Sequence, residues 1–256
     1  MKISFCIDMM FSQLDFYDKF DAVKNCGFNT VEFWKWTNKD IEKIVNIIET
    51  EDMNVSIFNI DSKDEALSYD LSRGILNAGR AEEFVSALKE SIPAYKTLGA
   101  GAMIVLIGEN AEYNKENVKK CLEAAIPLLE ENNVNLIVEP LNSFDRVGYS
   151  MPFATPVFEL LREIGNPHIK MLYDIYHQNM MGDFDMRQIR ENIDLIGHFH
   201  VADAPGRHEP GIGNVDYVSI INEINTLDYN GCIGLEYRAT KPDAETLGFL
   251  KEIENV

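Results

Sequence analysis

Eight short apolar runs recur along this chain of 256 residues, and a stretch with helical periodicity follows each one. The regular alternation of strand-like and helix-like segments is typical of repeated βα units around a parallel sheet. Eight such units complete a closed barrel, and the chain has the length of one. We therefore predict an α/β fold, a single (β/α)8 TIM barrel, with residues 1–256 forming one domain.

The strand prediction rests on composition and spacing along the sequence. The strands are expected near residues 2–8, 30–34, 54–60, 102–108, 135–140, 169–175, 196–202 and 232–237. Apolar residues at helical spacing predict two amphipathic helices, one with Ile41, Ile44, Val45 and Ile48 and one with Val118, Leu122, Ala125, Ile126 and Leu129.

Proline and loop length add further predictions. Thr155 followed by Pro156 indicates an N-cap and the first turn of a helix, and Pro127 should kink a helix over 114–132. The connections 61–80 and 203–214 are unusually long. Both follow strands, so both should rise from the C-terminal face of the barrel, where active sites form, as walls or a lid.

Composition excludes several classes of protein. A formal net charge of −19 gives a surface that repels polyanions, so nucleic acid is not an expected partner. Four cysteines without C-x-x-C spacing predict neither a disulfide framework nor a thiolate zinc site. The start of the chain lacks the long apolar segment of a signal peptide, and no apolar run approaches the roughly 18 residues of a membrane span. We predict a cytoplasmic protein without a membrane partner.

Four ionisable residues lie at or near the ends of four consecutive predicted strands: Glu139, Asp174, His200 and Glu236. Such side chains are costly to bury unless they are paired or bind a metal. Any one of them alone would suit a solvated or helix-capping role, but the repeated placement favours one shared site. Oxygen ligands with one imidazole suit Mn²⁺ or Mg²⁺, and Co²⁺ can substitute.

Two of these carboxylates can also transfer protons. Glu139 and Glu236 lie on strands that are not neighbours in an eight-strand ring, so they can approach a bound substrate from opposite sides. A cation held between a carbonyl and a neighbouring hydroxyl acidifies the C–H between them and stabilises the enediolate. The alternative is that both glutamates are metal ligands only.

Other residues near the strand ends have candidate roles beside surface or packing roles. His177 can donate to a substrate oxygen, and Arg207 can pair with a carboxylate or hydroxyl. His198 lies one step deeper than His200 and is expected to support it. Trp34, Trp36 and Phe11 are candidates for the floor of a sugar pocket, although core packing is the more common use of such side chains.

Several motifs together resemble the hydroxypyruvate isomerase family of the xylose isomerase-like barrel superfamily. These are VEPLNSFD (138–145), YDIYHQ (173–178), GHFHVADAPGRHEPGIGNVDY (197–217) and GLEY (234–237), with CGFNTVEFW (26–34) and SFCIDMMF (4–11) extending the similarity over nearly the whole chain.

The resemblance implies isomerisation of hydroxypyruvate to tartronate semialdehyde (2-hydroxy-3-oxopropanoate), or of a related 2-oxo-tetronate, with Glu139 and Glu236 as the proton-transferring pair. It implies metal ligands at Glu139, Asp174, His200 and Glu236 and substrate contacts at His177 and Arg207. Many hydroxypyruvate isomerases have Gln at the position of His200, whereas ketose 3-epimerases have His. This departure leaves the substrate open and favours a bound metal.

Three alternatives remain at this point. A ketose 3-epimerase of the tagatose/psicose type uses the same chemistry on a longer sugar. An abasic-site endonuclease is disfavoured, because phosphate contacts need a basic face and the chain has only five histidines. A catalytically silent sugar-binding barrel is disfavoured by the presence of both Glu139 and Glu236. The sequence leaves open whether the chain forms a homo-oligomer.

Overall fold

The computed structural model describes residues 1–109 and 111–253. Within these residues the strands are β1 Lys2–Cys6, β2 Thr30–Glu32, β3 Asn54–Val55, β4 Ile57–Asn59, β5 Ala102–Leu106, β6 Leu136–Glu139, β7 Ile169–Asp174, β8 Ile196–Val201 and β9 Cys232–Leu235. Each predicted strand is found, although each ends earlier than predicted.

All neighbouring strands are parallel, in the order β3-β2-β1-β9-β8-β7-β6-β5-β4. The two ends of this sheet are the halves of the predicted third strand, which is interrupted at Ser56. Backbone hydrogen bonds from Phe33 N to Ile57 O (3.4 Å) and from Asn59 N to Trp34 O (2.9 Å) join these ends. The predicted eight-stranded TIM barrel is therefore confirmed, with its third strand broken.

Helices follow the strands around the barrel. Their bounds in the described part of the chain are α1 Asp18–Asn25, α2 Ile41–Glu51, α3 Glu65–Leu71, α4 Ala81–Leu98, α5 Lys115–Asn132, α6 Ala154–Ile164, α7 Ile175–Met180, α8 Met186–Asn192, α9 Tyr217–Thr226 and α10 Asp243–Thr246. Short 3-10 helices span Ile193–Leu195 and Leu247–Glu252. The long connection 61–80 contains α3, whereas 203–214 contains no helix.

The two helices predicted from apolar spacing are confirmed as α2 and α5. Ile44 is the fully buried member of the α2 set, and Pro127 lies inside α5. The N-cap predicted at Thr155 is wrong, because α6 begins at Ala154. The backbone N–H of Ala154 donates to Gln178 Oε1 (2.9 Å) and Asp183 Oδ2 (3.2 Å). Side chains from a distant segment therefore replace a local cap.

The apolar side chains form one continuous core, from the barrel interior to the inner faces of the helices. All four cysteines are free, as predicted, with Cys6 and Cys121 buried and Cys26 and Cys232 half-buried. Among residues 1–109 and 111–253, no helix combines the length and the apolar character that a membrane span requires.

Candidate metal centre and its cavity

The strand ends converge on the four residues predicted from the sequence. Glu139 and Asp174 are the last residues of β6 and β7, His200 lies near the end of β8, and Glu236 directly follows β9. One ligand atom from each lies within 4.8 Å of the ligand atoms of the other three, and all four side chains are buried. We call Glu139, Asp174, His200 and Glu236 the upper cluster.

His200 presents Nδ1 to the three carboxylates. This atom lies 3.0 Å from Glu236 Oε2, 3.5 Å from Glu139 Oε1 and 4.0 Å from Asp174 Oδ2. Although some of these distances are short, neither His200 Nδ1 nor Glu139 Oε1 makes a hydrogen bond of acceptable geometry with any described residue. Buried polar atoms without partners, in a set of three carboxylates and one imidazole, fit a divalent cation.

The charges of the upper cluster are unevenly compensated. Burial raises the pKa of Asp174 to about 7, against the opposing pull of Arg207 and His200. Burial alone would also raise the pKa of Glu236, but Arg207 and His200 hold it well below its ordinary value. The surrounding Glu236 and Glu32 in turn raise the pKa of His200 well above 6.5, although burial opposes this. The cluster thus attracts protons and cations to offset its negative charge.

Arg207 supplies the nearest permanent positive charge. Its Nη2 donates to Glu236 Oε2 and lies 3.7 Å from Asp174 Oδ2, and its guanidinium lies over the ring of Tyr176. The backbone of Arg207 has a φ of 56°, a left-handed conformation that costs energy in a residue with a side chain. The loop 203–214 therefore holds Arg207 against the cluster in a strained conformation.

His177 is held in one tautomer. Its Nδ1 accepts from the backbone N–H of Asn142 at 3.1 Å, so the ring proton must lie on Nε2. Burial lowers the pKa of His177 well below 6.5, which keeps the ring neutral. Its Nε2 lies 3.4 Å from Asp174 Oδ2 and makes no hydrogen bond within the described residues. A neutral N–H donor is therefore available beside the upper cluster.

A second buried group lies deeper in the barrel and shares His200. Glu32, the last residue of β2, has carboxylate oxygens 3.0 Å from His198 Nε2 and 2.8 Å from His200 Nε2. We call Glu32, His198 and His200 the lower cluster. A Cβ on Gly234 would lie 2.5 Å from Glu32 Oε1 and 2.6 Å from His200 Cδ2, so only glycine leaves room for this arrangement.

The lower cluster confirms that His198 lies behind His200, but Glu32 was missed from the sequence. The same signal that selected Glu139 would have found it, because Glu32 is an acid at the end of an apolar strand. His200 and His198 hold the pKa of Glu32 at about 2, although burial alone would raise it. The ionised carboxylate faces Nε2 of His200, which leaves Nδ1 directed at the upper cluster.

The aromatic candidates divide between cavity and core. The indole N–H of Trp34 donates to Glu236 Oε1 at 2.9 Å, and Trp34 lines the cavity above the cluster. Trp36 is buried and donates to Ser91 Oγ at 3.0 Å. Phe11 is buried in the core. Trp34 alone of the three therefore lies where a ligand can reach it.

A cavity of about 770 Å³ opens above the upper cluster. Glu139, Glu236, His177 and Arg207 all contribute to its lining. Both long connections form walls, 61–80 through Ser68 and Leu71 among others and 203–214 through Gly206 and Arg207. The structure thus places the predicted acids, histidines and arginine around one cavity or directly beneath it, whereas Trp36 and Phe11 lie in the core.

The sequence matches a family described as xylose isomerase-like TIM barrel over residues 20–253. Among curated proteins, it is 30% identical to a hydroxypyruvate isomerase of Escherichia coli K12, over 93% of each chain. It is 27% identical to a 2-oxo-tetronate isomerase of Cupriavidus necator, over 96% of this chain and 95% of the relative.

A solved structure from Brucella melitensis, described as a family 2 AP endonuclease, superimposes with a TM-score of 0.89. It covers 98% of each chain at 22% sequence identity. At that identity the likeness shows the fold and does not define the activity.

Proposed function

Because the chain belongs to the xylose isomerase-like TIM barrel family, we propose that it is an isomerase of small hydroxy-carbonyl acids. The proposed reaction interconverts hydroxypyruvate and 2-hydroxy-3-oxopropanoate, or the isomers of a closely related 2-oxo-tetronate. The names of the two curated relatives support this class of reaction. The observation that carries it is the convergence of Glu139, Glu236 and the neutral His177 on one cavity.

The reaction moves two protons and leaves the carbon and oxygen atoms in place. One proton leaves C3 of hydroxypyruvate and one arrives at C2. The C3 hydroxyl loses its proton and becomes a carbonyl, and the C2 carbonyl oxygen gains a proton and becomes a hydroxyl. Glu139 and Glu236 are proposed to remove and return the carbon-bound proton. They extend from β6 and β9, on either side of the two strands that bear Asp174 and His200, so they flank a bound substrate.

The two glutamates differ in their surroundings. Glu236 accepts from both Trp34 and Arg207, which fix its carboxylate in place. Glu139 Oε1 has no hydrogen bond with any residue the structure describes, so the Glu139 carboxylate is less constrained. We propose that one of the two glutamates removes the proton from C3 and that the other returns a proton at C2. In the reverse direction the roles exchange.

His177 and Arg207 are proposed to bind the substrate oxygens. The Nε2–H of His177 points to the cluster and can donate to the carbonyl or hydroxyl oxygen while the ring stays neutral. Glu139, Asp174, His200 and Glu236 would hold a divalent cation, with Mn²⁺, Mg²⁺ or Co²⁺ as the candidates. Such a cation supplies positive charge that acidifies the C–H bond next to the carbonyl.

A ketose 3-epimerase is the second candidate, and the size of the cavity favours it. At about 770 Å³ the cavity is far larger than a three-carbon acid needs. Removal and return of a proton at one carbon, from opposite faces, would use the same two glutamates. A four-carbon acid or a longer sugar would fill more of this space.

Hydrogen–deuterium exchange followed by NMR tests the proposal. Protein loaded with diamagnetic Mg²⁺ in D₂O would be incubated with hydroxypyruvate, 2-oxo-tetronates and C4 to C6 ketoses. Exchange at C3 of an acid, with appearance of its isomer, is the expected result. Exchange and inversion at C3 of a ketose alone would assign the epimerase, and a lack of exchange in every compound would contradict both proposals.

A further inference from the structure

Among the described residues, five cationic side chains line the cavity, and three of them pair with carboxylates. Lys39 lies 3.3 Å from Asp8 Oδ1, Arg146 lies 2.7 Å from Glu109 Oε1, and Arg207 pairs with Glu236. The two others are Lys35 and Arg238. Neither of these two has an ion pair within the described parts of the chain, and Arg238 is exposed to solvent.

Lys35 is half-buried, and its contact is with a neutral group. Its Nζ donates to Ser68 Oγ at 2.7 Å. An ammonium has three donors, so two remain for a ligand. The chain has 42 acidic residues against 23 Lys and Arg. Lys35 thus differs from Lys39, Arg146 and Arg207 of the same cavity, because it faces a hydroxyl and not an acid.

The hydroxyl of Ser68 can also donate a hydrogen bond to a ligand. Ser68 lies on α3, in the connection 61–80, and is 8% exposed. Its hydroxyl oxygen accepts from Lys35, while its own proton has no acceptor among the hydrogen bonds of the described residues. An ammonium and a hydroxyl that each retain a free proton can donate together to the two oxygens of one carboxylate.

The position of Lys35 fits a ligand that also reaches the upper cluster. Lys35 directly follows Trp34, whose indole N–H contacts Glu236. Lys35, Ser68, Glu139 and Glu236 line the same cavity. Arg207 is the other candidate to bind a carboxylate, but Glu236 and Asp174 already surround its guanidinium.

We propose that Lys35 and Ser68 form the subsite that binds the carboxylate of the substrate and selects anionic hydroxy-carbonyl compounds over neutral sugars. This inference rests on the proposed isomerase function and extends it by assigning the residues that recognise the acid. Lys35, after β2, and Ser68, on α3, would thus bind the carboxylate of the substrate. The glutamates at the strand ends would transfer the protons.

The test uses a ligand that binds without reacting. Glycerate has a carboxylate and hydroxyls at C2 and C3, but no ketone or aldehyde that could react. Its affinity for the Mg²⁺-loaded protein can therefore be measured by calorimetry. We expect Lys35→Met to weaken glycerate binding by about 10- to 100-fold, as loss of a charge-assisted contact does. Lys35→Arg should recover part of the loss.

Lys39→Met is the matched control, because Lys39 lines the same cavity but pairs with Asp8. Its effect on glycerate binding should be about fivefold or less, because Asp8 already balances the charge of Lys39. In turnover assays, Lys35→Met should raise KM for hydroxypyruvate and leave kcat much less changed. Thermal unfolding would confirm that all variants are folded.

Two results would overturn the inference: unchanged glycerate binding in Lys35→Met, or an equal loss in Lys39→Met. Turnover by the parent protein is a separate readout. If glycerate binding depends on Lys35 but no acid in the exchange panel reacts, the carboxylate subsite stands and the proposed isomerase function fails. If acids react normally in Lys35→Met, the function stands and the subsite fails.

Discussion

The upper and lower clusters share His200 and are built from the same residue types, yet they differ in charge balance. In the lower cluster, one carboxylate faces two imidazoles, and the pKa of Glu32 is held at about 2. In the upper cluster three carboxylates share one imidazole and Arg207, and burial raises the pKa of Asp174 to about 7. In the lower cluster imidazoles balance the single carboxylate, whereas the upper cluster has surplus negative charge.

This difference in charge balance indicates different roles for the two clusters. An ionised group with a lowered pKa stabilises the fold, whereas a carboxylate with a raised pKa costs stability when it ionises. Such a cost is typical of residues arranged to bind a ligand. The lower cluster thus orients His200, and the upper cluster is the part that a cation would stabilise.

The largest expected effect comes from replacing a glutamate of the upper cluster that is proposed to transfer protons. Glu139→Gln and Glu236→Gln should each lower kcat/KM for the acid substrate by about 1000-fold or more, because an amide cannot accept the substrate proton. Steady-state kinetics at saturating Mg²⁺ measures this.

Glu209→Gln is the matched control, since Glu209 is a buried glutamate whose carboxylate accepts from Thr240 and does not line the cavity. It should retain most activity. Normal turnover by Glu236→Gln would contradict the two-glutamate mechanism.

The second expected effect is a gain of stability at the expense of metal binding. Asp174→Asn should reduce Mn²⁺ affinity by about 100-fold or more and yet raise Tm of metal-depleted protein at pH 8. Asn keeps the hydrogen bond that Asp174 Oδ1 accepts from the backbone N–H of His177 at 3.2 Å.

The sign follows from the raised pKa of Asp174, about 7 in the fold against 3.8 ordinarily. The folded protein binds the extra proton, so the stability that this proton confers is lost as pH rises through 7. Asn avoids that loss. The gain should amount to several degrees at pH 8, at about 2–4 °C per kcal/mol, and should fade near pH 4. A lower Tm for the variant at pH 8 would contradict the conclusion that the upper cluster has surplus negative charge.

The smallest effect should come from the lower cluster, with the opposite sign for stability. Glu32→Gln should lower Tm by several degrees at pH 7, because it replaces an ionised partner of two histidines with an amide. It should also weaken Mn²⁺ binding by about 10- to 100-fold, since His200 loses the group that orients it.

The lowered pKa of Glu32 fixes the pH range of this effect. Its ionised carboxylate contributes stability above about 4.5, and that contribution is lost as pH falls toward about 2. The difference in Tm between Glu32→Gln and the parent should shrink over this range. Equal Tm values at pH 7, with unchanged Mn²⁺ affinity, would show that the lower cluster does not support the upper one.

Local patterns predicted the strands and the residues at their ends. The period of two placed His198 behind His200, and apolar runs marked where Glu139 and Asp174 would emerge. The same reasoning applied to VEFW would have included Glu32. It was missed because its strand is not one of the four consecutive strands that carry Glu139, Asp174, His200 and Glu236.

Other features depend on contacts between distant segments. The third strand breaks at Ser56 because its halves pair with different neighbours, which is a property of ring closure. The start of α6 is set by Gln178 and Asp183, not by Thr155. The tautomer of His177 depends on the backbone of Asn142, 35 residues earlier. None of these partners is visible in a local sequence window.

The contact between Trp34 and Glu236 gives the site an optical signal. The chain has two tryptophans: Trp36 is 7% exposed and donates to Ser91, whereas Trp34 is 41% exposed. Indole emission depends on nearby charge and hydration. The fluorescence of Trp34 should therefore change when a divalent cation replaces Arg207 as the cationic partner of Glu236. Occupancy of the cavity can therefore be followed in real time, in rapid-mixing experiments, without any added label.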